Sequence, residues 1–302
     1  MASFICSPKF FLLLFILSAI PVAYIISLER STPTTHVYSY HSAGWFRESG
    51  KWDESHKRFL VSFMEGGLGQ ISVPNHVVSP EIVLNEVPVV KDADLAGNAS
   101  LGLVVDTPRN RVLVAHADVI GNRYSALVAY DLSSWDRLFL TWLSGPGDEK
   151  SMADDVAVDA EGNAYVTDAK SSKIWKVGKD GQLISTIRSP LFTPKECGYL
   201  YKVTLGKEDE VKLVKVVGGS LIFGDGIELL SPTKLVIAGN PSGRLVESTD
   251  NWETASLIAK FSGPMHRLAS AATVKDGKVY LNHLLGMGYP RRKHVFVEAV
   301  FA

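Results

Sequence analysis

The sequence predicts an all-β fold, a six-bladed β-propeller with its fourth blade truncated, behind an apolar N-terminal helix. Three observations carry this. Val156–Val158 is a short apolar strand, Asp159–Asn163 has turn chemistry, and Ala164–Thr167 is a second strand that loops into Ile174–Val177. That order describes an antiparallel meander. The phrase recurs at a step of 53 residues: Trp52-Asp53 before Arg58–Val61, Leu103–Asp106 before Arg111–Val114, and Val156–Asp159. It returns once more as Ile227–Leu230 before Lys234–Ile237, and again as Ala271–Val274 before Lys278–Leu281. A four-stranded unit repeated every 40 to 55 or so residues is a propeller blade.

The elements follow in chain order. Phe10–Leu28 is uncharged and bounded by Lys9 and Glu29-Arg30. It is long enough for a membrane anchor, which needs about 20 apolar residues. It also resembles a signal peptide, although Pro21 sits badly for a cleavage site. Residues 1–30 are therefore read as a signal anchor or a signal peptide. Either places the remainder in the secretory pathway, luminal or extracellular in the endomembrane system or vacuole, with Lys9 cytoplasmic if the segment stays. Any membrane contact is expected only through this segment. Residues 31–44, with Ser31-Thr-Pro-Thr-Thr35, read as a linker, and residues 45–302 as the propeller.

The repeat then acts as a ruler. The fourth unit keeps an outer pair, Tyr199–Leu205 and Val211–Val217, but Thr186–Gly198 holds two prolines and no apolar alternation. The step from the third unit to the fifth is 71 residues, where two whole units need about 90 or more. The fourth blade is thus expected to be incomplete near 186–217, lacking its two inner strands. The surviving hairpin is expected to show an unpaired edge.

Composition sets limits. The 302 residues are 46% apolar with a formal net charge of −1, which gives no electrostatic case for nucleic acid. Of the two cysteines, Cys6 precedes the apolar run, so Cys197 has no partner for an intrachain disulfide. Asn98-Ala99-Ser100 is a glycosylation acceptor triplet. Asp53, Asp106 and Asp159 fall in hairpin turns and read as turn residues.

Functional candidates come from aligning the units. The channel end of each first strand holds Glu48 in unit one, Leu101 in unit two, Asp154 in unit three, Asp225 in unit five and Ser270 in unit six. First strands of a propeller converge on its axis, so the three acids are expected to meet there. Buried together and unpaired, they would cost several kcal/mol each. A divalent cation resolves that, and hard oxygen donors suit Ca2+. His266 and Arg267 precede the last unit and are read as facing the channel mouth, as substrate-pocket residues.

At this point the residues resemble the calcium-dependent propellers of the senescence-marker-protein (SMP-30), gluconolactonase and paraoxonase superfamily. The nearest likeness is its plant branch, described as calcium-dependent phosphotriesterase-like; strictosidine synthase-like proteins are more distant. The phrases are Glu48-Ser49 before Trp52-Asp53, Ala153–Asp159, Gly218–Gly226, Gly263–Leu268 and Tyr280–His283. The resemblance implies metal ligands at Glu48, Asp154 and Asp225. It implies hydrolysis of a lactone, ester or organophosphate-type small molecule, with Asp225 as base or water-orienting group. The family's fourth-blade asparagine ligand has no counterpart here, and Asp154 stands where an asparagine is commoner. Three functions stay open: a calcium-dependent hydrolase impaired by that loss, a non-catalytic binding or scaffold propeller, and a shortened inactive isoform. The substrate and the oligomeric state are not encoded in any readable motif.

Overall fold

The computed structural model describes residues 8–30, 35–74, 82–192, 198–206, 209–240 and 243–301. Cys6 and Cys197 lie outside the described residues, as do residues 193–197 of the stretch read as the gap in the fourth unit. The chain falls into two units, residues 1–35 and 36–302. The first contains α1 (Pro8–Arg30), 23 residues with Pro21 inside it. At 1.5 Å per residue it is roughly 34 Å long. By length and composition it can cross a membrane, and near the N-terminus the same properties fit a signal sequence.

The second unit is a β-propeller of five blades. β1 (Val37–Ser42) is followed by blade one, made of β2 (Arg47–Asp53), β3 (Arg58–Phe63), β4 (Leu68–Ser72) and β6 (Val87–Val90); β5 (Val83–Asn85), between the last two in sequence, pairs in parallel with β1 in blade five instead. Blade two is β7 (Ala99–Asp106), β8 (Arg111–Ala117), β9 (Ser125–Asp131) and β10 (Arg137–Ser144). Blade three is β11 (Ala153–Val158), β12 (Ala164–Asp168), β13 (Lys173–Val177) and β14 (Leu183–Arg188). β15 (Leu200–Thr204) and β16 (Glu210–Val217) form a hairpin. Blade four is β17 (Gly224–Ser231), β18 (Lys234–Gly239), β19 (Gly243–Glu247) and β20 (Thr254–Phe261). Blade five is β21 (Ala269–Lys275), β22 (Lys278–His283) and β23 (Arg292–Glu298), completed by β1.

Two expectations need correction. Residues 31–44 are not all linker, because Val37–Ser42 pairs antiparallel with β23, from Val37↔Val297 to Ser42↔Arg292. The alternation Val37-Tyr38-Ser39-Tyr40 supplies a strand, and Tyr40 is fully buried on it. Second, the outer hairpin of the fourth sequence unit does not stand as a separate sixth blade. β16 pairs in parallel with β20 through Lys215↔Thr254, Val216↔Ala255 and Val217↔Ser256, so the hairpin extends blade four to six strands. Backbone donors and acceptors left without an inner pair find partners on the next sheet. The open edge is therefore β15.

Face-to-face packing of successive blades makes the core. Leu113, Leu127, Val166 and Trp175 join blades two and three, and Leu60, Leu68, Leu103, Val112 and Val128 join one and two. Around the chain closure, Phe59 stacks on Phe296 with centroids 4.2 Å apart. The inner strands pack in the sequence β17, β21, β2, β7, β11. From β11 to β17 the described residues show no comparable packing.

The turn aspartates do more than turn the chain. Asp53 accepts from Arg58 Nε at 2.9 Å, and Arg58 also donates to the Leu132 carbonyl of blade two. One repeat later Asp106 accepts from Arg111 Nε at 2.8 Å, and Arg111 donates to the Gly162 carbonyl of blade three at 2.7 Å. In blade three Asp159 is satisfied locally by Asn163 and Tyr165. Each aspartate thus holds its hairpin, and two of them aim an arginine across to the neighbouring blade.

Candidate functional site

Each of the five inner strands carries a register irregularity against its partner near its first residues. The shifts fall between Arg47 and Gly50, Ser100 and Leu103, Ala153 and Val156, Gly224 and Ile227, and Ala269 and Ala271. A bulge re-aims the side chains at that point. Consecutive acids Asp154 and Asp155 both reach one cavity, where strict alternation would send one away. Residues three apart, Glu48 and Lys51, also share it.

The cavity is polar, about 30 Å³, and lined by Glu48, Ser49, Lys51, Asp154, Asp155 and Asp225 together with Gly226, Ser270 and Ala271. The three acids expected on the axis therefore line one space. Two glycines allow the close approach. A Cβ on Gly102 would fall 2.3 Å from the Asp155 carboxylate, and one on Gly226 2.7 Å from the Ser270 carbonyl. Asn282 steadies the Glu48 backbone, its amide donating to the carbonyl of Arg47 at 2.7 Å and of Glu48 at 3.3 Å.

The electrostatics are those of crowded carboxylates. Burial, then Asp154, Asp225 and Asp155, push Glu48 well above the usual carboxylate range. Burial, followed by Asp225 and Asp155, lifts Asp154 to about 7. Asp225, on a more exposed stretch of β17, is lifted to about 6 by burial and by Asp155. Burial also raises Asp155, against the pull of Lys51. Glu48 Oε2 is buried with no hydrogen-bond partner. Lys51 Nζ donates to Glu228 Oε2 at 2.5 Å and to the Ala272 carbonyl at 2.8 Å.

Donor chemistry and crowding fit a hard divalent cation. The present side-chain placement is not a finished chelate: among the described residues no three His, Cys, Asp or Glu side chains stand arranged to hold a metal ion. Side-chain rotation around Glu48 would have to complete one. Volume sets a second limit, since about 30 Å³ accommodates an ion or a water or two, whereas small-molecule pockets run to roughly 300–1,000 Å³.

His266 and Arg267 lie in a 3-10 turn (Met265–Arg267) before β21, and neither lines the acidic cavity. Arg267 is buried and donates to the carbonyls of Leu285 at 3.0 Å and Lys293 at 2.6 Å, tying loops together. Nearby His283 is buried, and burial followed by Arg267 lowers it to about 3. Asn98 is half-buried just before β7. The Ser100 hydroxyl of its triplet is fully buried, accepting from Gly67 N at 2.8 Å and lying 3.2 Å from His116 Nδ1. Sequence reasoning missed Asp155 and Lys51. The signal for Asp155 was the doubled acid at 154–155, since alternation sets one of two neighbours outside the channel unless the strand bulges.

No protein-family model matches the chain, and no curated protein matches it in sequence. Solved structures match its fold. The major allergen Mala s 1 of Malassezia sympodialis is 15% identical with a TM-score of 0.63, covering 87% of this chain and 96% of that one. U3-55K is 7% identical with a TM-score of 0.59, covering 88% and 100%. The soluble aldose sugar dehydrogenase of Escherichia coli, in its apo form, is 9% identical with a TM-score of 0.53, covering 87% and 100%. An allergen, U3-55K and a sugar dehydrogenase share an architecture and not one activity, so the likeness carries the β-propeller fold alone.

Proposed function

We propose that this propeller binds a calcium ion among Glu48, Asp154 and Asp225 and serves as a hydrolase of a lactone or ester-type small molecule. The observation that carries the reading is the buried, partnerless Oε2 of Glu48 among three further carboxylates whose proton affinity is raised. The resemblance of the site phrases to the SMP-30, gluconolactonase and paraoxonase superfamily, its plant branch above all, supports the reaction class and a six-bladed parent plan. A bound calcium supplies a Lewis acid for a carbonyl or phosphoryl oxygen. The chain's own residues supply the rest. Burial and Asp155 raise Asp225 to about 6 in the calcium-free chain; beside a bound cation its carboxylate would be ionised, placed to orient water or take its proton. Asn282 fixes the Glu48 backbone, and Gly102 leaves room for Asp155.

The test is thermal unfolding against calcium. Saturation to 100 times Kd adds about 2.7 kcal/mol. In a domain of this size that is a rise of roughly 5 °C or more. The rise should shrink in Asp225→Asn, together with turnover of a lactone and ester panel. A wild type whose melting temperature ignores calcium rules the reading out.

A second reading has its own support. Among the described residues the fourth unit has no inner strands and offers no ligand from that side, and the acidic cavity, at about 30 Å³, has room for an ion or a water or two. Both favour a calcium-binding propeller without turnover, acting as a binding or scaffold protein. A calcium-dependent rise with no hydrolysis across the panel would favour it.

A further inference from the structure

Among the described residues that line the acidic cavity one side chain is basic, and its placement is specific. Lys51 lies three residues beyond Glu48 on β2, just as Glu228 lies three beyond Asp225 on β17. The channel therefore has two tiers along the inner strands. Glu48, Asp154 and Asp225 belong to the first. Lys51 and Glu228 belong to the second, and Asp155, one residue further along β11 than Asp154, faces them. The ammonium of Lys51 is fixed there by the Glu228 carboxylate at 2.5 Å and the Ala272 carbonyl at 2.8 Å, with only 13% of its side chain exposed. A lysine takes three acceptors, and two are named. No bond joins Lys51 to Asp155, which feels its charge across the cavity that both line and is held against β7 by the absence of a side chain at Gly102.

We propose that Lys51 is the resident counter-cation of the channel: paired with Glu228, it takes the Asp155 and Glu228 tier from two negative charges to one, and so biases a divalent ion toward the Glu48, Asp154 and Asp225 tier. The second half rests on the calcium reading above; the first does not. A buried carboxylate stripped of its only nearby cation has to find another or take up a proton. With Lys51 in place, the second tier keeps one negative charge of its two and competes less for an ion than the first. Without it, the whole channel becomes a deeper well for positive charge. Lys51 acts here as a positioning residue, through charge rather than by touching substrate.

The experiment compares wild type, Lys51→Met, Lys51→Arg and the double variant Lys51→Met/Asp155→Asn, first melted in chelator and then titrated calorimetrically with calcium. In chelator at pH 8, Lys51→Met is expected to melt lower than wild type, and adding Asp155→Asn is expected to restore part of the loss, the orphaned Glu228 accounting for the rest. Lys51→Arg is expected to follow wild type. With calcium, Lys51→Met is expected to bind at least tenfold more tightly than wild type, and the double variant to fall back toward it. A chelator melting temperature unchanged in Lys51→Met, or a loss that Asp155→Asn does not reduce, overturns the proposal. If Lys51→Met folds only when Asp155→Asn accompanies it, the proposal stands; if neither folds, it falls. A wild type blind to calcium refutes the calcium reading and the confinement with it, while the chelator melts still decide the neutralising role.

Discussion

Replacing Asp154 by asparagine should stabilise this protein in calcium-free solution, and only at neutral to alkaline pH. The folded chain lifts the Asp154 carboxyl from an ordinary 3.8 to about 7, chiefly through burial and the Asp225 charge. An acid with a raised folded pKa binds a proton that the unfolded chain has released. Stability therefore falls as pH climbs from about 4 to about 7, and is flat above that. At about 1.4 kcal/mol per tenfold change in proton affinity, the full penalty is on the order of 4 kcal/mol. Partial exposure of the residue makes this a ceiling. Asparagine keeps the shape and one acceptor oxygen and removes the charge. At roughly 2 °C per kcal/mol for a domain of this size, Asp154→Asn should melt up to about 8 °C higher than wild type at pH 8 in chelator. At pH 4.5, where wild-type Asp154 already holds its proton, the gain should vanish. Calorimetry at both pH values reads this directly. A gain of equal size at both, or a variant less stable at pH 8, would refute the electrostatic reasoning.

Other outcomes follow from the same coordinates. Burial lowers His116 to about 4, so its contribution is present above the unfolded 6.5 and lost as pH falls toward 4; His116→Gln should flatten the acid limb of a stability profile by roughly 3 kcal/mol. Arg111→Ala should cost about 2–3 kcal/mol in urea unfolding, because it strips buried Asp106 of the nearer of its two arginines, leaving Arg109, and cuts the tie to Gly162. Phe296→Ala should cost about 3–5 kcal/mol and speed proteolysis of the N-terminal strand, since Phe296 is fully buried between Phe59 and Tyr40. Gly102→Ala should cost about 1–3 kcal/mol and weaken any calcium response, because the new methyl meets the Asp155 carboxylate.

The propeller was legible because its repeat is nearly exact over three units: Asp53, Asp106 and Asp159 mark equivalent turns, and the strand phrases around them fall where the sheets are. The shared position of Glu48, Asp154 and Asp225 could be read for the same reason, since one offset carries one strand end onto the next. What could not be read depends on contacts between distant parts of the chain. Nothing local in Val37–Ser42 says that its partner is β23, some 250 residues away. Nothing in Glu210–Val217 says that it will lie parallel to β20. Asp155 and Lys51 escaped because simple alternation sorts neighbours to opposite faces, and a bulge in each inner strand suspends that rule where the channel begins. Arg267 could not be placed by the same offset: it lies outside the acidic cavity, and its guanidinium donates to the carbonyls of Leu285 and of Lys293 on β23.

The seam between β1 and β23 has a consequence in time. Its two halves are the first strand of the propeller to be synthesised and the last. At roughly 5–20 residues per second, about 250 intervening residues take on the order of 10–50 s to appear. Throughout that interval Val37–Ser42 has no antiparallel mate, so the seam forms only once β23 has been made. A chain cut short by even its final strand would keep most of its sheets and never lock.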